Sequence, residues 1–110
     1  MSRWLHDVLK RIHELAASGK VRFTLKALRE LASLDAGLDE TDALGILRRL
    51  RASDSLGRLR SEYTREWLYV FLPRAGGDTL YVKVLVRSDC VIISFHEQVG
   101  DEAEEEDADP

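Results

Sequence analysis

The side chains best suited to chemistry lie close together near the end of the sequence. Thr79–Arg87 and Cys90–His96 alternate apolar with other residues, and among the others stand Tyr81, Lys83, Arg87, Ser94 and His96. A period of two marks strands whose successive side chains point to opposite faces. In the first, Leu80, Val82, Val84 and Val86 share a face and leave Tyr81, Lys83, Leu85 and Arg87 on the other. In the second, Val91, Ile93 and Phe95 form the apolar set, opposite Cys90, Ile92, Ser94 and His96. Ser88-Asp89 reads as a two-residue turn, closing a hairpin with Tyr81 opposite His96 and Lys83 opposite Ser94. Cβ atoms of such pairs lie about 4.5 to 5.5 Å apart. The register follows from requiring both apolar sets to meet one core.

A phenol, an ammonium, a hydroxyl and an imidazole on one exposed face form a set able to handle phosphate. Cleaving RNA without metal needs a base for the 2′-hydroxyl, cations for charge on the phosphorane and an acid for the leaving oxygen. Histidine ordinarily titrates near neutrality, so His96 can serve as acid or base. Lys83, with Arg58, Arg60 and Arg87, could hold phosphate, while Tyr81 could orient the scissile group or stack on a base. Spacing alone does not separate such a site from a solvated sheet edge. A non-catalytic module that binds RNA or a protein through the same face is therefore the competing class.

Other motifs point away from metal and nucleophile chemistry. The sequence has no Gly-rich phosphate loop, no HExxH and no nucleophile elbow. His6 and His13 are seven residues apart on one helix without a third ligand nearby, and read as solvated. Asp39, Glu40 and Asp42 suit a helix start. Cys90 is the single cysteine, so it has no internal disulfide partner, and its place beside a turn reads as structural. No cofactor or metal is expected.

These strands need a scaffold, and the first half of the chain supplies helices. Leu5, Val8, Leu9, Ile12, Leu15 and Ala16 recur at helical spacing, with Ser18-Gly19 as the stop. Val21–Phe23 is a short extended stretch. Thr24 then caps a second helix carrying Ala27, Leu28, Leu31, Ala32 and Leu34, and Gly37 breaks it. Asp39 or Thr41 caps a third, with Ala43, Leu44, Leu47 and Leu50 inward and Arg48, Arg49 and Arg51 in its last turn. Beyond Ser53-Asp54 the period changes to two, predicting strands over 58–63, 66–72, 79–87 and 90–96 with a turn at Arg74–Asp78. In strand 66–72, Trp67, Tyr69 and Phe71 lie on one side and Leu68, Val70 and Leu72 on the other. Its aromatics read as core or interface rather than as base-stacking platforms. The expected fold is α+β: three N-terminal helices on one face of a C-terminal antiparallel sheet.

The 110 residues fit one domain, and no apolar run reaches membrane-spanning length or forms a secretory signal, which points to the cytoplasm. The net charge of −4 is uneven. Residues 101–110, DEAEEEDADP, hold seven of the 20 acidic groups, leaving residues 1–100 with 13 against all 16 Lys and Arg, a net of +3. The expected domain is therefore 1–97, mildly basic as an RNA-binding surface requires, followed by a disordered acidic tail over 98–110. The tail reads as solvated; the sharper alternative is that it folds over Lys83, Arg58 and His96 as a phosphate mimic.

A wider pattern carries a family resemblance. Gly19-Lys20-Val21-Arg22-Phe23-Thr24, Ala27-Leu28, Gly37-Leu38-Asp39, Ser53-Asp54, Trp67, Pro73, Leu80-Tyr81-Val82-Lys83 and the closing Cys90-Val91-Ile92-Ile93-Ser94-Phe95-His96-Glu97 follow one another in an order that resembles the MqsR family of bacterial toxins. The resemblance runs from about residue 8 to residue 97, with VRFTxxAL and CVIISFHE its most specific pieces. It implies a RelE-like fold and a metal-independent mRNA interferase, a type II toxin neutralised by a cognate antitoxin in a toxin–antitoxin complex. The family's active residues are a Lys after the third helix, a Gln after the central-strand Trp, a Tyr in the penultimate strand and a Lys ending the last strand. Carried over, the Tyr is Tyr81, the terminal Lys is His96, the early Lys falls near Arg58 and the Gln is replaced by Leu68, which cannot hydrogen-bond a substrate. The expected catalytic set is His96, Tyr81 and Arg58, with Lys83, Arg60, Arg87 and Ser94 binding the RNA.

Overall fold

In the computed structural model, which describes residues 2–99, the helices are α1 (Arg3–Ala17), α2 (Leu25–Ala32) and α3 (Glu40–Arg48). The strands are β1 (Val21–Phe23), β2 (Ser55–Arg60), β3 (Trp67–Phe71), β4 (Arg74–Ala75), β5 (Asp78–Val86) and β6 (Cys90–Glu97). The main sheet runs β1-β6-β5-β3-β2, with β4 paired to β5 off that path. The fold is α+β as expected, and the sheet is mostly antiparallel. The extended stretch Val21–Phe23 supplies its one parallel pairing, against Cys90–Ile92 of β6.

Local chemistry explains the helices. All six apolar positions predicted for α1 are buried. Thr24 Oγ1 accepts from the Ala27 amide at 3.1 Å and starts α2. Of the two candidate caps for α3, Asp39 is the one used. Its carboxylate accepts from the Asp42 amide, and the Asp42 carboxylate accepts in return from the Asp39 amide, each at 2.9 Å. The third helix ends at Arg48, so Arg49 and Arg51 lie beyond its last turn. Helices α1 and α3 close over one sheet face, where Ile12, Leu47, Phe71, Leu80, Val82, Val84, Cys90, Ile92 and Phe95 are fully buried. The β4–β5 turn brackets Gly76-Gly77 between Ala75 and Asp78, and both glycines have positive φ, as a tight two-residue hairpin demands.

The β5–β6 hairpin departs from simple alternation in two places that compensate each other. The connection holds three residues, Arg87 to Asp89, rather than two, because Val86 pairs with Cys90. Arg87 N–H donates to Asp89 O at 2.8 Å, and Arg22 Nε holds the Asp89 carboxylate at 2.6 Å. That odd loop shifts the start of β6 by one residue. A bulge then shifts it back: Val84 pairs with Ile92 and Lys83 with Ser94, leaving Ile93 unmatched. Cys90 and Ile92, expected opposite the core, are therefore in it, whereas Val91 stands beside Leu85 on the other face. Beyond the bulge, Tyr81 faces His96 and Lys83 faces Ser94.

Past Ile92, β1 has ended and α2 covers the open edge of β6. The Phe95 amide donates to Glu30 Oε1 at 2.9 Å, and Lys26 Nζ reaches Ser94 Oγ at 3.0 Å and Ile93 O at 3.4 Å. Backbone groups that a bare edge strand would offer to another chain are met by these side chains. Gln98 N–H still bonds Thr79 O at 2.9 Å, so pairing continues one residue past the expected domain end. The acidic run 101–110 lies outside the described residues.

The bulge makes a stability prediction. Ile92→Ala should lower the unfolding free energy in urea by about 2 to 5 kcal/mol. Ile93→Ala, at a half-buried bulge, should lower it by about 1 kcal/mol or less. Uninterrupted alternation reverses that order.

Candidate functional site

Tyr81 and His96 meet on the sheet face opposite α1. Their rings stack with centroids 5.1 Å apart and planes 12° from parallel. His96 Nδ1 lies 2.9 Å from Glu97 O. A carbonyl can only accept, so Nδ1 is the donor in this contact. Two pairs further along, Lys83 stands opposite Ser94 and next to Val70 of β3. This face is less open than expected: Tyr81 is 3% exposed, Lys83 5% and Ser94 3%, while His96 is half-buried.

Access comes from the α2 side. Arg29, Glu30, Ser33, Leu34 and Asp35 line, with His96 and Glu97, an open groove of about 360 Å³. Sequence reasoning missed the polar residues of this helix. Lys26 bonds Ser94 Oγ at 3.0 Å and pairs with Glu30 at 2.8 Å, so α2 brings an ammonium to the hydroxyl. The i, i+4 spacing of Lys26 and Glu30 is readable in the sequence, but only the parallel docking of β1 on β6 shows that this helix lies against the last strand.

Three of the expected residues stand elsewhere. Arg58 pairs with Tyr69 and Tyr69 with Val84, which places all three on the helix-facing side. Arg60, two residues on, shares that side. Arg58 lies 4.6 Å over the Trp4 ring and 4.0 Å over Trp67, and Arg60 lies 4.0 Å over Trp67. The pleat sends them through the sheet from Tyr81 and Lys83, so the expected Arg58–Lys83 phosphate clamp does not form. Arg87 makes two hydrogen bonds to Glu66, at 2.9 and 2.8 Å, which hold that carboxyl down at about 2. Leu68 lies on the face of Val70 and Lys83, presenting an alkyl group where the family pattern has an amide.

The remaining candidates are structural. His13 Nε2 donates to Leu50 O at 2.8 Å, tying α1 to the end of the helical layer. Among the described residues, no group of three or more His, Cys, Asp or Glu side chains could hold a metal ion. Cys90 is fully buried, and burial pushes its thiol up to about 12, with Asp89 adding to the rise.

A helical layer on one mostly antiparallel sheet is the α+β architecture the toxin resemblance implied. Residues 5–97 match the family described as motility quorum-sensing regulator, toxin of MqsA, and the chain belongs to this MqsR toxin family. It is accordingly the toxin of a toxin–antitoxin system, with an antitoxin as its partner. No curated protein matches it as a relative. Among the described residues, no helix is long and apolar enough to cross a membrane.

The raised thiol makes Cys90 inert in the folded chain, because thiolate is the reactive form. Ellman's reagent at pH 8 should label almost no thiol in buffer and one per chain in urea. Rapid labelling in buffer contradicts the buried placement.

Proposed function

We propose that this toxin is a metal-independent endoribonuclease that cleaves mRNA in the cytoplasm and thereby arrests translation and growth. The observation that carries this reading is the stacked Tyr81–His96 pair, with Ser94 and Lys83 two residues along their strands and Lys26 bonded to Ser94. Family membership supplies the toxin role, and the side chains supply a chemistry consistent with it.

The reaction assigns each group a task. Phosphate enters the groove beside α2, where Arg29 is the cation among Glu30, Asp35 and Glu97; Lys26 reaches Ser94 from the same helix, and Lys83 stands opposite Ser94 in the sheet. His96 Nε2 takes the proton of a 2′-hydroxyl as O2′ forms a bond to phosphorus. The bond from phosphorus to the next nucleotide's O5′ breaks, and that oxygen takes a proton from water in the open groove. The products are a 2′,3′-cyclic phosphate and a 5′-hydroxyl. Tyr81 keeps the imidazole plane fixed by stacking, so the base approaches in one orientation. Charge accumulating on the phosphorane favours nearby ammonium and guanidinium groups over water, because such groups need no reorganisation as the charge develops. Histidine in place of the family's terminal lysine suits this role, since lysine is a poor base at neutral pH. Leu68 cannot read a base edge, so selectivity comes from elsewhere.

His96→Ala should slow cleavage of an mRNA transcript in EDTA by about 10² to 10⁴-fold, the usual contribution of a positioned acid or base. It should also relieve growth arrest while the circular dichroism spectrum and urea midpoint stay near wild type. Full cleavage by the variant removes His96 from the mechanism. A gel-mobility shift by wild type without any cleavage identifies a binding module instead.

A further inference from the structure

The guanidinium and indole groups displaced from the Tyr81 face form a site of their own. Arg58 and Arg60 both lie 4.0 Å from the Trp67 ring centroid, Arg58 also lies 4.6 Å over Trp4, and Trp4 stacks on Tyr69 at 5.7 Å. Four segments contribute: the first turn of α1, the outer strand β2, β3 and the loop between those strands. That loop is tied in by Arg60 Nη1 donating to Arg65 O at 2.7 Å. Among the described residues, no carboxylate pairs with Arg58 or Arg60, whereas Arg11, Arg22 and Arg87 are in ion pairs. Arg60 is exposed and Arg58, Trp4 and Trp67 are half-buried, so the cluster belongs to the surface rather than the core.

We infer that this arginine–tryptophan ladder is a second contact for single-stranded RNA, holding nucleotides outside the scissile pair by base stacking and phosphate pairing. The inference rests on RNA being the substrate. A guanidinium lying on an indole uses its flat face for the cation–π contact and keeps in-plane N–H donors for a phosphate. Stacked guanidinium and aromatic planes are also the surfaces on which unpaired bases settle, whatever their sequence. An acidic protein segment would find the positive charge but would leave the aromatic planes unused. A duplex offers phosphates but keeps its bases stacked internally.

Position gives the ladder a role separate from the chemistry. Three interstrand steps separate β6 from β2 in the sheet order, about 14 Å at about 4.8 Å per step, and the two sites use opposite faces. A dinucleotide at His96 cannot touch both. Substrates long enough to pass around the sheet gain the second site, which compensates for a central strand that carries Leu68 where a polar reader stands in the family.

The chain has only two tryptophans, Trp4 and Trp67, and both belong to the ladder, so intrinsic fluorescence reports on it directly. Titrating the full chain with 2′-O-methyl RNA of about ten nucleotides, a length typical of single-strand sites, separates binding from cleavage. Saturable quenching is expected. Arg58→Gln/Arg60→Gln should weaken it about tenfold or more and flatten the slope of log affinity against log salt by about 0.7 for each phosphate that is no longer neutralised. Arg58→Lys/Arg60→Lys should keep the salt dependence and still lose affinity, because it retains charge without the planar stack. Three outcomes overturn the ladder: RNA bound without any tryptophan signal, quenching indifferent to the double Gln variant, or equal quenching by polyglutamate or duplex RNA. Absence of all RNA binding and cleavage overturns the ribonuclease reading itself.

Discussion

Ile93, the residue of β6 left without a partner between Lys83 and Val84, decides which side chains of the last strand face the helices and which face the groove. Before it, Cys90 and Ile92 fill the core; after it, Phe95 does so and Ser94 and His96 point the other way. Without that extra residue, the three-residue loop at Arg87–Asp89 would carry its one-position offset to the end of β6. His96 would then face the core and Phe95 the solvent, an arrangement opposed by both desolvation of the imidazole and exposure of the phenyl ring. Burial of Phe95 and placement of His96 are thus two results of one register constraint.

The same strand end depends on α2. Where β1 stops, the backbone edge of β6 would be open to another chain, and the Lys26–Glu30 pair closes it through the Phe95 amide, Ile93 O and Ser94 Oγ. These are charge-assisted bonds to a strand that carries the catalytic candidate, so the helix fixes the edge and supplies the cation together. Fold and site are coupled there, while Arg58 and Arg60 are coupled to the opposite side through Trp4 and Trp67.

Much of this was legible in the sequence, and what escaped it has physical causes. The six apolar positions of α1 report a single buried stripe, since helical periodicity survives whatever lies opposite. The pairing of Tyr81 with His96 was also legible, though by a route containing two compensating offsets: an odd loop and a bulge. Alternation could not show either, because Val91, Ile92 and Ile93 are all apolar and each pattern suits some register. Arg58 shows the other limit. Its place after the third helix suggested a phosphate clamp, yet a one-residue difference along a strand moves a side chain through the sheet. Lys26 and Arg29 escaped notice because the packing of α2 on β6 spans more than 60 residues and follows from a parallel pairing that no local pattern announces.

Together these features describe a small toxin whose proposed chemistry sits at a strand end, on the sheet face opposite an arginine–tryptophan stack. By His96 along α2, Arg29 lies among Glu30, Asp35 and Glu97; on the other face, Arg58 and Arg60 lie over the Trp67 ring beside β2. The central claim is that His96 starts an attack by the 2′-oxygen of the RNA itself. Mass spectrometry of the ends left on a defined RNA cleaved in EDTA tests it most directly. The account predicts a 2′,3′-cyclic phosphate on one fragment and a 5′-hydroxyl on the other; a 3′-hydroxyl facing a 5′-phosphate would contradict it.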